Sequence, residues 1–187
     1  MNQPTRTLDL QRQEFASSIF LATPLAGLII WSIIGIVACF FSDFVAVWSI
    51  FIGTGSIAYL GIFLSKFTGE NFTAKDKPRN DFNTLFLFTA AQAILVYSIA
   101  IPFFLVDYSS LPMSVGILTG LMWLPFSWII QHWVGIFHVL TRTIFILVVW
   151  YALPQYRFVA IPIVIVSVYV ITMIILRNRK RNVLEVL

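Results

Sequence analysis

The sequence predicts an all-α bundle of six membrane-spanning helices with both termini in the cytoplasm. Three observations lead there. The chain is 11% charged and 59% apolar, with a mean hydropathy of +0.92, whereas a soluble domain is about a quarter charged and just under half apolar. Six apolar runs approach the roughly 20 residues that a helix needs to cross hydrocarbon. Lysine and arginine gather in blocks at the ends of alternate connections, as the positive-inside bias requires.

The elements follow in order. Arg6 and Arg12 precede an apolar run at 18–41, longer than a signal-peptide core and without a small-x-small cleavage site, so an uncleaved first span is expected. Within it Ala22 and Ala26 form a small-xxx-small pair that permits close helix approach. Asp43 marks a tight outer turn, and the second span runs over 44–65. A polar cytoplasmic loop at 66–83 carries Lys66, Lys75, Lys77 and Arg79; its Asn71-Phe72-Thr73 sequon faces the cytoplasm and is read as chance. The third span, 84–106, ends at Asp107 and Tyr108, and Leu111-Pro112 closes that outer turn.

The fourth span, 113–131, contains a GxxxG pair, Gly116 and Gly120. The turn into the fifth span, 134–153, has no Gly-Pro signal and is open anywhere in 131–135. Pro154-Gln155-Tyr156-Arg157 makes the third outer turn before the sixth span, 158–176, and a basic cytoplasmic tail, 177–187, with Arg177, Arg179, Lys180 and Arg181. On this topology Arg157 is the outer basic residue and Arg142 belongs to neither side. Tight turns are expected to pack sequential neighbours antiparallel in one membrane domain, 1–187. Pro24, Pro102, Pro125 and Pro162 fall inside spans, where each removes a helical hydrogen bond and frees a carbonyl.

Several functions are excluded by composition. The net charge of +4 is spread over short blocks and forms no basic face, so no nucleic-acid partner is expected. One cysteine, Cys39, supplies neither a disulfide nor a CxxC pair. The chain has no HExxH, GxSxG or nucleotide-binding loop, and no span interior holds Asp or Glu. No metal, cofactor or catalytic residue is therefore expected. The missing carboxylate also weakens proton- or cation-coupled transport.

The chemistry concentrates in QHWVGIFHVLTR, residues 131–142. Arg142 falls near the middle of the fifth span, where a charge costs about 2.5–3.5 kcal/mol and should face inward with a partner. His138 is four residues earlier and so on the same face; beside a guanidinium it should be neutral. The candidate partners are carbonyls freed by prolines, side chains such as Gln92, Tyr97, Ser56, Ser167 and Thr141, or an anionic group from outside the protein. Trp31 and Trp123 lie mid-span and either line a pocket around this centre or pack in the core. Trp48, Trp128, Trp133 and Trp150 suit membrane interfaces, and His132 reads as an interfacial residue beside Trp128 and Trp133. A serine nucleophile at Ser56, within Gly53-Thr54-Gly55-Ser56 and served by His138, is the hydrolase reading.

LPFSWIIQHWVGIFHVLTRT (124–143), with Tyr156-Arg157-Phe158-Val159-Ala160, resembles a family of small bacterial six-span integral membrane proteins of unknown function. The resemblance implies a bacterial inner membrane and offers no activity or site residues. The architecture is also similar to the substrate-binding components of energy-coupling-factor vitamin transporters, on six spans, inner termini and Ala22-x-x-x-Ala26. Three functions stay open. The leading one is binding or transport of a small anionic or amphipathic ligand, or a lipid headgroup, at a midplane site of Arg142, His138, Gln92, Tyr97, Trp123 and Trp31. The others are a structural or accessory subunit, acting as a homo-oligomer or with a membrane partner, and an intramembrane hydrolase.

Overall fold

A computed structural model describes residues 6–70, 72 and 78–185. Among them the chain is all-α, with six helices long and apolar enough to cross a membrane. The sequon at Asn71 and Thr73, together with Lys75 and Lys77, lies outside the described residues.

The first span is α2 (Ala22–Phe40) and the second α3 (Asp43–Ser65). The third span is broken into α4 (Asp81–Leu95) and α5 (Tyr97–Val106), and the fourth into α6 (Leu111–Gly120) and α7 (Trp123–Ile129). The fifth is α8 (Val134–Ala152) and the sixth α9 (Arg157–Glu185). Prolines explain both breaks. Pro102 and Pro125 lack the N–H of the ladder and crowd the carbonyl four residues back; those carbonyls belong to Ser98 and Leu121, beside the interruptions. Pro24, in contrast, is the third residue of α2 and costs little there.

Three expectations are corrected. Residues 18–21 are not helical but a link in which Phe20 takes a φ of 55°, and before them an unforeseen helix, α1 (Leu8–Ala16), packs on α4 and α7. Residues 177–185 of the expected basic tail are not a separate element, because α9 continues as helix to Glu185. Its 29 residues, at about 1.5 Å each, reach well past a core about 30 Å thick. Sequential packing also fails at one junction: the third span sits against the fourth and α1, while α2 packs mainly on α3 and α9. The long connection after α3 permits this, and α3 meets the third span through side chains, Thr54 with Tyr97 and Phe51 with Phe104.

Polar ties hold one end of the bundle. Asn80 Nδ2 donates to the Gln11 carbonyl (2.7 Å), its Oδ1 caps α4 at Phe82 N (3.0 Å), and Gln11 Oε1 accepts from Asp81 N (2.8 Å). Glu70 Oε1 accepts from Leu21 N and Ala22 N, both at 2.7 Å, placing a carboxylate at the positive end of α2.

The turn left open between the fourth and fifth spans is at 130–133. It is sharp: Gln131 has a φ of 51°, Ser127 Oγ donates to the His132 carbonyl, and Ile136 N donates back to that hydroxyl (3.3 Å). His132 Nδ1 accepts from Val134 N at 3.2 Å, which requires that nitrogen to be unprotonated. Burial, and then the nearby Arg179 guanidinium, lower the His132 pKa below its ordinary value. A folded pKa below the unfolded one stabilises the protein above the unfolded value, about 6.5, and that contribution is lost as pH falls through the folded pKa. Thermal unfolding in detergent between pH 7.5 and 5 should therefore show a shallow loss of midpoint, and His132→Asn should flatten it.

Candidate functional site

Among the described residues one guanidinium is fully buried. Arg142 lies within α8, about 12 Å along its axis from Val134, and is 1% exposed. Helices α2, α6, α8 and α9 surround it. Nη2 donates to Thr119 Oγ1 (3.1 Å) from α6, and Nη1 donates to the Tyr169 hydroxyl (3.3 Å) from α9. Nη1 also faces His138 Nε2 at 3.4 Å, while His138 Nδ1 meets Thr172 Oγ1 at 2.9 Å.

These contacts fix the imidazole. A guanidinium can only donate, so Nε2 is the acceptor and Nδ1 carries the proton that goes to Thr172. His138 is thus neutral, as its neighbour demands. Its ring stacks on Trp123 at 4.3 Å and 19° and meets Tyr169 edge-on at 4.9 Å. The guanidinium carbon lies 5.8 Å from the Trp31 ring centre and 5.5 Å from that of Tyr169, within reach of both π faces.

Small residues make the space. A β-carbon on Gly120 would lie 3.2 Å from Arg142 Cδ, so this half of the GxxxG pair accommodates the arginine stem. Gly116 serves packing alone: a β-carbon there would meet Ile146 at 3.0 Å and Ile165 at 3.1 Å. A β-carbon on Gly27 of α2 would overlap the Tyr169 ring.

The centre is rich in donors and poor in negative charge. Its partners are two hydroxyls and a neutral imidazole, and Arg142 Nε has no hydrogen-bond partner. Trp31 Nε1, on the indole beside the guanidinium, is likewise buried and unpaired. Among the described residues no three His, Cys, Asp or Glu side chains converge on a metal-sized site.

Four of the six residues expected at this site come together: Arg142, His138, Trp123 and Trp31. The other two do not. Gln92 faces outward and Tyr97 is bonded to Thr54 and stacked on Phe51, because the third span lies away from α8. Thr119, Tyr169 and Thr172 take their place. Ser56 donates to the Gly53 carbonyl (2.7 Å), and both His138 nitrogens are occupied elsewhere, so no Ser–His pair forms. Ser167 donates to Ile163 O within its own helix (2.8 Å).

Ala22 and Ala26 are fully buried, with Gly61 of α3 packed against Ala26; the pair joins α2 to α3 and presents no outer coupling surface. Trp48, Trp128 and Trp133 are exposed, but Trp150 is covered by Arg157, whose guanidinium carbon is 3.4 Å from its ring centre.

Residues 9–179 match the profile described as "Family of unknown function (DUF7010)". The chain belongs to this family. The matched segment holds all six candidate spans and every residue around Arg142. Nothing matches the chain among curated proteins or among solved structures. This member of the DUF7010 family is thus a multi-span membrane protein with a buried cationic centre.

Proposed function

We propose that the protein binds, and in doing so carries or senses, a small anionic group or the anionic head of an amphipathic molecule at Arg142. One observation carries this reading. A fully buried guanidinium is surrounded by neutral partners, and two buried N–H donors, its own Nε and the Nε1 of the Trp31 ring within cation–π reach of it, lack acceptors. A buried charge without a counter-ion costs several kcal/mol, about as much as one good ion pair returns, so a monoanion would relieve both the charge and the orphaned donors. The broken fourth span supports it, since interrupted helices at mid-membrane line the sites of many transporters. The basic-residue bias favours both termini in the cytoplasm, and we place the protein in a bacterial inner membrane.

A second reading has its own support. Arg142 ties α6, α8 and α9 together through hydrogen bonds and touches Trp31 of α2, which suits a structural lock in an accessory subunit.

The two are separated by native mass spectrometry of purified protein, alongside Arg142→Met and Tyr169→Phe. Binding predicts a retained small anion or anionic lipid that Arg142→Met loses completely while its helix content stays unchanged. Loss of assembly in Arg142→Met, or identical spectra in all three proteins, sinks the binding reading in favour of the lock.

A further inference from the structure

At the end of the bundle carrying the Asp107–Ser110 turn, a cleft of about 470 Å³ opens between α3 and α5. Its size falls in the range of small-molecule sites, roughly 300–1,000 Å³. Its wall is a run of rings: Phe44 to Trp48 (6.4 Å), Trp48 to Phe51 (6.3 Å) and Phe51 to Phe104 (5.6 Å, edge-on). Tyr108 closes the mouth, where its hydroxyl donates to Asp43 Oδ2 at 3.0 Å.

The charge at this end is one-sided inside the cleft. Arg157, a cation at this end of the bundle, donates to Ser109 Oγ (2.7 Å), is paired with Asp107 at 3.7 Å and lies over Trp150. Asp43 has no ion pair among the described residues. Its carboxylate therefore shares the cleft with aromatic rings, whose faces carry the negative part of the quadrupole and attract cations. An anion would meet the Asp43 carboxylate at the mouth with no side-chain cation in the lining to hold it, and a neutral lipid tail would leave the carboxylate unused. An inorganic cation would keep its water and gain nothing from the rings.

We infer that this cleft is a second binding site, for a lipophilic organic monocation such as a quaternary ammonium or phosphonium bearing apolar arms. The charge would sit by Asp43 and the arms against Trp48, Phe51 and Phe104. This site is separate from Arg142 and stands or falls independently of it.

Equilibrium dialysis of tetraphenylphosphonium against the full chain in nanodiscs of neutral lipid tests the assignment, with tetraphenylborate as the isosteric anion. Expected are saturable one-to-one uptake of the cation above empty nanodiscs and none of the anion. Asp43→Asn preserves size and can still accept from Tyr108, so it should stay folded yet weaken binding at least tenfold. Trp48→Leu, at an exposed position, should weaken it severalfold. Non-saturable uptake, equal saturable uptake of both ions, or wild-type affinity in both variants overturns the site.

Discussion

Gly135→Ala is expected to be the most damaging of the glycine-to-alanine changes in this protein. A β-carbon at Gly135 would overlap the Trp123 carbonyl oxygen and lie 2.7 Å from Ser127 Cβ and 3.1 Å from Ser127 Cα. The obstruction is mostly backbone, so no rotamer change relieves it; α7 and α8 must separate. Overpacking typically costs about 1–3 kcal/mol, and a backbone clash belongs at or above the upper end. Separation would also pull Trp123 from His138 and strain the turn held by Ser127 and His132. Thermal unfolding of Gly135→Ala in detergent should show a midpoint lower by roughly ten degrees or more, or failure to accumulate. A midpoint within two degrees of wild type would mean that α7 and α8 do not cross this closely.

Gly27→Ala should be nearly as costly, with a different signature. The added carbon would overlap Tyr169 Cζ and lie 2.5 Å from its hydroxyl. Here the obstacle is the end of a side chain, and it can move, but only by leaving Arg142 and His138. The cost is then a lost hydrogen bond to a charged group, about 1.5–3 kcal/mol, added to the repacking. Because both substitutions act through Tyr169, Gly27→Ala and Tyr169→Leu should be strongly non-additive. The double variant should be little worse than Tyr169→Leu alone. Independent, summing effects in urea or thermal unfolding would show that the two helices meet elsewhere.

The spans were legible because their signal is local: length and apolarity are properties of a window, and α8 spans 134–152 where 134–153 is expected. The first helix was hidden because its anchoring is not local. Gln11 and Asn80 are 69 residues apart, and Leu8 and Leu10 stay exposed, so no amphipathic pattern announces α1. At the site, Arg142 and His138 betray themselves by charge and four-residue spacing. Their partners Thr119, Tyr169 and Thr172 are ordinary polar residues whose meaning depends on which spans adjoin. A faint trace existed: Tyr169 and Thr172 are three residues apart on the most apolar span, hence on one face. Gln92 and Tyr97 are mid-span polar residues of the same kind on a span that packs elsewhere.

The neutrality of Arg142's partners bears on permeability. A fixed positive charge deep in a low-dielectric bundle raises the local potential, and nothing in its polar shell cancels it. Hydronium, sodium or potassium approaching along the axis would meet a repulsive barrier of the kind that an arginine or positive helix ends supply in water-selective pores. Small cations should therefore be kept away from this centre of the bundle.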